Sequence, residues 1–327
     1  MKRTTLRRAA APVATVAALA LTLTACGGNN ENGGGGDGGL SGTITADGSS
    51  TVGPLTAAAS ELFNEENPDV KITVGESGTG GGFEKFCAGE TDMNDASRPI
   101  DEAEEVPVCE KNGVEYQEMV VANDALTVIV PTSNDWATCL TTDQLKLIWE
   151  PNADGKVTSW NQVDPSFPDV PLDLYGPGTD SGTFDYFTDE INGEEGASRA
   201  DYTPSEDDNI IVEGVAGGEG GLGYLGFTYY EENTDKLKAV EIDSGAGCVA
   251  PSAETVQDGS YTPLGRPLFI YPAIASISDN EAFTAFLDFY VENDATIAEA
   301  AQYIPLSDEQ KSTLESELAD AKSAAGL

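Results

Sequence analysis

Three short segments rich in glycine and hydroxyl side chains constrain this chain more than any other feature. They are Asp47-Gly48-Ser49-Ser50-Thr51-Val52, the run from Glu76 through Ser77-Gly78-Thr79 and Gly80-Gly81-Gly82 to Phe83, and the run from Gly176 to Phe184 that contains Ser181-Gly182-Thr183. Each is preceded by a stretch that reads as a strand: Ser41 to Ala46, Val70 to Val74, and Leu172 to Tyr175. Each is followed by apolar residues at helical spacing: Leu55 to Asn64 with Pro54 suited to the first turn, Phe83 to Cys87, and Phe184 with Phe187. Strands alternating with helices predict an α/β layered fold. In open sheets of this class, ligands bind where strand ends give way to helix starts, which is where all three segments fall.

The remaining pattern is consistent with that class. Tyr116 to Val130 reads as two apolar stretches separated by Ala122-Asn123-Asp124, and Thr142 to Trp149 as a short helix. Gly223 to Gly226 and Leu268 to Tyr271 read as late strands, and Asn280 to Tyr290 and the region from Ser307 as helices. No internal repeat is visible. Each polar segment offers hydroxyls and backbone N–H groups at a helix N-terminus, where the N–H groups lack intrahelical acceptors and the helix dipole favours negative charge. One such segment is an ordinary turn. Three, all after strands, point to a small oxyanion. Asp92-Met93-Asn94-Asp95-Ala96-Ser97-Arg98-Pro99-Ile100 adds one cation and nearby carboxylates, and Arg98 reads either as a ligand group or as half of a surface ion pair.

Charge and composition exclude several functions. The chain carries 16 Lys+Arg against 57 Asp+Glu, a net charge of −41. Four of the basic residues, Lys2, Arg3, Arg7 and Arg8, open the sequence ahead of an apolar run from Ala9 to Leu23, too short to span a bilayer comfortably. These features read as an export signal over residues 1–25, ending in Leu23-Thr24-Ala25-Cys26, which resembles a bacterial lipobox with Cys26 as the lipidated residue. A Gly/Asn-rich tether over 26–40 follows, with too few apolar side chains to join a core. Loss of the leader would take the balance to 12 basic against 57 acidic residues, −45. Such a surface excludes nucleic acid as a partner, and any anion must bind against the protein's own field. The absence of histidine removes Ser-His-Asp and Cys-His catalysis and weakens any zinc proposal. Besides Cys26 there are four cysteines, an even set that in an exported protein reads as two disulfides, here taken as Cys87 with Cys109 and Cys139 with Cys248.

Taken together, Asp47-Gly48-Ser49-Ser50-Thr51, Ser77 to Phe83, Ala96-Ser97-Arg98-Pro99-Ile100, Tyr175 to Phe184 and Gly221-Leu222-Gly223-Tyr224 resemble the PstS-type phosphate-binding lipoproteins of ABC phosphate importers, in the periplasmic-binding-protein class. The resemblance covers essentially the whole chain after the tether. It implies a two-lobed α/β fold with a hinge and an inter-lobe cleft, lobe one from residues 41–126 plus 266–327 and lobe two from 127–265. It implies a binder rather than an enzyme, with no cofactor and no metal, anchored by lipid to the outer face of the cell membrane and delivering phosphate to permease subunits. Carried over by motif, the phosphate contacts are Ser50 and Thr51, Thr79, and Ser181, Gly182 and Thr183. The family's carboxylate falls on Asp92, with Asp95 as the alternative. Some members place an arginine just before Ser-Gly-Thr; here that stretch is Gly176-Pro177-Gly178-Thr179-Asp180, so the resemblance assigns the cation to Arg98. A carboxylate suits phosphate because the ion still carries a P–O–H at neutral pH, which an ionised Asp accepts; sulfate has no such donor. The competing readings are a binder of another oxyanion, such as sulfate or molybdate, and an enzyme, either a secreted phosphatase or a hydrolase using Ser181 as nucleophile.

Overall fold

The computed structural model describes residues 39–327. The expected export signal, lipidation at Cys26 and nearly all of the tether lie outside the described residues. The first stretch runs β1 (Gly42–Gly48), α1 (Gly53–Glu66), β2 (Val70–Gly75), α2 (Thr79–Cys87), β3 (Met93–Ala96), α3 (Val106–Asn112) and β4 (Met119–Pro131). The middle runs β5 (Cys139–Thr141), α4 (Thr142–Trp149), β6 (Asp173–Gly176), α5 (Gly182–Phe187) with a π-helical turn (Thr188–Asn192), β7 (Thr203–Pro204), α6 (Asp208–Ala216), β8 (Gly221–Gly226), α7 (Phe227–Glu231), β9 (Leu237–Ala239), β10 (Glu241–Asp243), β11 (Cys248–Val249) and α8 (Ala253–Gln257). The chain ends with β12 (Gly265–Pro272), α9 (Ile274–Asp279), α10 (Glu281–Glu292), α11 (Asp294–Ala300) and α12 (Asp308–Ala324).

The main sheet has the order β2-β1-β3-β12-β4-β8-β6-β7, with β9 also paired to β4. Its two ends repeat one pattern. β1 lies between two parallel neighbours, β2 and β3, and β6 lies between two parallel neighbours, β7 and β8. The chain leaves each central strand to one side and returns on the other, so the carboxyl ends of β1 and β6 are topological switch points, where the crossover helices diverge and leave a crevice. The first and third polar segments follow β1 and β6 directly. β4 joins the halves: up to Ala125 it pairs with β12, and from Leu126 it pairs with β8.

One apolar cluster gathers Ile44, Leu55 and Phe63 with Leu268, Phe283, Phe286 and Leu314, so the C-terminal helices complete the first half. Another gathers Leu126, Trp149, Trp160, Phe187, Leu222, Tyr224 and Leu264 from the middle of the chain. Disulfides join Cys87 to Cys109 and Cys139 to Cys248.

Two elements differ from the sequence pattern for physical reasons. The two stretches around Ala122-Asn123-Asp124 form the single strand β4, because its polar side chains find partners. Asn123 exchanges hydrogen bonds with Gln310 (3.1 and 3.0 Å), and Asp124 pairs with Arg266. The glycine run Gly80-Gly81-Gly82 is helical rather than loop, and α2 begins at Thr79. Packing overrides glycine's poor helix propensity here: a Cβ on Gly82 would lie 2.1 Å from Asn94 Oδ1 and 2.5 Å from Gly48 Cα.

Candidate functional site

The strand ends converge on one cavity of about 530 Å³. Its lining includes Ser49, Ser50 and Thr51 after β1, Ser77 to Gly81 at the start of α2, Ser97 to Pro99 after β3, Gly182 at the start of α5, and Arg266 and Pro267 on β12. Asp185, Tyr186, Asp189, Glu190 and Glu195 also line it.

The first two loops are fixed to each other. Asp47 Oδ1 accepts hydrogen bonds from the Ser77 N–H (3.1 Å) and hydroxyl (2.5 Å), while its Oδ2 pairs with Lys85 Nζ (2.5 Å). These partners hold the Asp47 carboxyl below the ordinary aspartate range, although burial opposes them as the largest single influence. The Gly78 N–H donates to Gly48 O at 2.9 Å. Ser49 O accepts from Val52 and Gly53 at the start of α1. The Thr79 hydroxyl lies 3.0 Å from Ser97 Oγ and accepts the Ser97 N–H, tying α2 to the end of β3. At the third loop, Ser181 caps α5 by accepting the Thr183 N–H (3.2 Å), which leaves the Gly182 N–H in a first turn without an intrahelical acceptor.

The structure does not bring all the expected residues together. Ser50, Thr51, Thr79, Arg98 and Gly182 line the cavity. Ser181 serves as the cap beside it, and Thr183 opens into a second cavity of about 200 Å³ with Asn123 and Asp124. Asp92 lies away from the site. It precedes β3, and Ser97 follows that strand, so the two residues sit at opposite ends of it, about 16 Å apart. The Asp92 carboxylate accepts from the Thr45 N–H and the Ser276 hydroxyl, each at 2.8 Å. The alternative, Asp95, points from β3 into α1, accepts the Thr56 hydroxyl at 2.8 Å and is fully buried. Burial, opposed by that bond and reinforced by Asp47 and Glu76, pushes its carboxyl up to about 7.

Arg98 reaches the rim but is committed elsewhere. It makes two bonds to Glu105 (2.9 and 2.7 Å), and its side chain is 46% exposed. A second cation lining the cavity is Arg266, which the sequence reading used only as a lobe boundary. Its guanidinium donates to Asp124 Oδ2 through Nε (3.2 Å) and Nη2 (3.1 Å), to Thr51 Oγ1 through Nη2 (3.2 Å) and to Ser97 O through Nη1 (3.5 Å). It lies 3.5 Å above the centre of the Tyr186 ring. The available signal was a lone basic residue before Pro267 at the start of an apolar strand. Asp185 and Glu190, also missed, have no salt-bridge partner among the described residues. Burial, together with Glu195 for Asp185 and Asp189 for Glu190, raises both carboxyls, and Arg266 partly counters this. The arrangement gathers N–H and O–H donors and the Arg266 guanidinium around a cavity that Asp185 and Glu190 also line, which suits a small, partly protonated oxyanion.

The comparisons agree with this chemistry. Residues 34–294 match the PBP superfamily domain model. The chain is 51% identical over 269 residues to Protein SphX of Synechocystis, covering 82% of this chain and 80% of the relative. It is 40% identical over 280 residues to the phosphate-binding protein PstS of Staphylococcus saprophyticus, covering 85% of each. The crystal structure of a possible phosphate-binding protein from Planctomyces limnophilus superposes with a TM-score of 0.81 at 46% identity, covering 86% of this chain and 99% of that one.

Proposed function

The chain belongs to the PBP superfamily, among the PstS phosphate-binding proteins, and from that premise we propose that it captures inorganic phosphate in the described cavity and delivers it to an ABC-type importer. The observation that carries this reading is the convergence of three helix starts and Arg266 on one cavity at the switch points of the sheet. Lobe one is 41–126 with 266–327 and lobe two is 127–265, with the hinge near where β4 changes partner from β12 to β8. Ser50, Thr51, Thr79 and Gly182 bind through hydroxyls or N–H groups, Ser181 and Thr183 shape the third loop, and Arg266 supplies the charge that the sequence assigned to Arg98. Asp185 and Glu190 take over the proton-accepting role expected of Asp92. The protein acts outside the cytoplasmic membrane, held there through Cys26, and hands its ligand to permease subunits.

Binding rather than catalysis fits the site: the Ser181 hydroxyl is used as a helix cap, and the chain has no histidine to deprotonate it. Calorimetric titration with phosphate, arsenate and sulfate at low and molar NaCl tests the reading. Saturable phosphate binding, competition by arsenate and exclusion of sulfate are expected. Affinity should change by less than about tenfold with salt, because short contacts in a cleft are screened far less than exposed charge. Tighter sulfate binding, a steep salt dependence, or turnover of a phosphate monoester would overturn it.

Gly182→Ala provides a geometric test of how closely the lobes approach. A Cβ at Gly182 would stand 2.8 Å from Thr51 Oγ1, so either the Thr51 side chain or α5 must shift. The expected result is about tenfold weaker phosphate binding in a protein of unchanged fold. Wild-type affinity would mean that the ligand-bound form does not bring these loops this close.

A further inference from the structure

We propose that Tyr186 is a positioning residue for phosphate: its ring holds the Arg266 guanidinium in one plane, and this stack slows ligand release. The proposal rests on the phosphate reading above and goes beyond it by assigning a role to a residue that contacts the guanidinium through its face alone.

A guanidinium has five N–H donors. Four are directed to protein acceptors: two to Asp124 Oδ2, one to Thr51 Oγ1 and one, at a longer distance, to Ser97 O. One N–H on Nη1 has no acceptor among the described residues, and Arg266 lines the cavity. That donor is useful to an oxyanion only if the guanidinium keeps its orientation. Asp124, opposite Arg266 in the β4–β12 pairing, prevents rotation within the guanidinium plane. It does not prevent the plane from tilting. Tyr186 does, because the guanidinium carbon sits 3.5 Å over the ring centre, where the ring's negative face also attracts the cation.

Tyr186 is itself fixed. It is 6% exposed, and its hydroxyl donates to Pro263 O at 2.5 Å. It also lies four residues after Gly182, on the same face of α5. The helix that presents the Gly182 N–H to the cleft therefore carries the ring as well. Seating that helix against the first loop completes the anion contacts and the stack together, and departure of the ligand requires both to open. The contribution of Tyr186 thus belongs in the dissociation rate.

The test compares Tyr186→Leu, Tyr186→Phe and Arg266→Met, singly and as the Tyr186→Leu/Arg266→Met pair, by phosphate calorimetry and stopped-flow dissociation on the full chain. Tyr186→Leu is expected to raise Kd about tenfold, almost entirely through faster release. Tyr186→Phe keeps the ring face and should recover affinity to within about threefold of wild type. In the Arg266→Met background the leucine should add nothing to the loss, as required if the ring acts through the guanidinium. Equal loss in Phe and Leu would assign the effect to the hydroxyl contact with Pro263, and an additive double variant would make Tyr186 a packing residue; either overturns the proposal. So would wild-type Kd in Tyr186→Leu while the parent protein binds phosphate. Failure of the parent itself to bind phosphate would overturn the functional reading, and this proposal with it.

Discussion

Arg266→Met should weaken phosphate binding by at least about 100-fold, and Arg98→Met by much less. Removing one member of a buried ion pair costs about 3–5 kcal/mol, because the other charge is left in a poor solvent without its partner. Here the partner is Asp124, whose side chain is 9% exposed. Burial already raises its carboxyl, and Arg266 provides the main opposing pull. Without the guanidinium, an uncompensated carboxylate would stand behind the anion seat, and Thr51 and Ser97 would lose the group that ties them together. Arg98 is bound to Glu105 at the half-exposed rim, where an ion pair contributes about 1 kcal/mol or less. Parallel calorimetry on the two variants, with circular dichroism to establish that each is folded, decides the order. Greater loss in Arg98→Met would return the cation's role to the residue the sequence motif indicated.

Asp95→Asn should stabilise the protein above neutral pH and not at pH 4. The wild-type carboxyl is fully buried, with a folded-state value of about 7 against an ordinary 3.8. The groups around it explain the direction. Burial dominates, Asp47 from β1 and Glu76 after β2 repel its charge, and Thr56 on α1 donates to it. Asp95 also adds to the raised position of the Tyr290 hydroxyl on α10. A carboxyl raised on folding binds protons more tightly in the native state than in the unfolded one. Its penalty is therefore absent below about pH 4, grows between about pH 4 and 7, and is constant above. Three pK units set a ceiling on the order of 4 kcal/mol. Urea unfolding of both proteins at pH 4.5, 6 and 8 should show the gap opening with pH, and a gap of equal size at each pH would refute the assignment. Asp95 also supports the first loop through its main chain, its carbonyl oxygen accepting the Ser49 N–H at 2.9 Å.

What the sequence by itself determined was local. Alternation of apolar residues marked β1, β2 and β6. Hydroxyls and glycines between strand and helix marked the three loops, and Ser50, Thr51, Thr79 and Gly182 from those loops line the cavity. These features are legible because strand period, helix caps and flexible turns each depend on residues within a few positions of one another.

Tertiary structure decided which charged groups line the cavity. Asp92 and Ser97 are five positions apart, but a strand separates them and only one of its ends meets the cleft. Asp95 lies next to the cleft in sequence and points into α1, because side chains on a strand alternate between faces. Arg266 reaches Thr51 across 215 positions and Asp124 across 142. Those contacts exist only because β12 returns antiparallel between β3 and β4 and places Arg266 opposite Asp124, two residues before β4 takes β8 as its partner. Hydroxyl and glycine loops carry their function in their own backbone, whereas a charge acquires its function from what surrounds it, and that is set by the pairing of strands far apart in the chain.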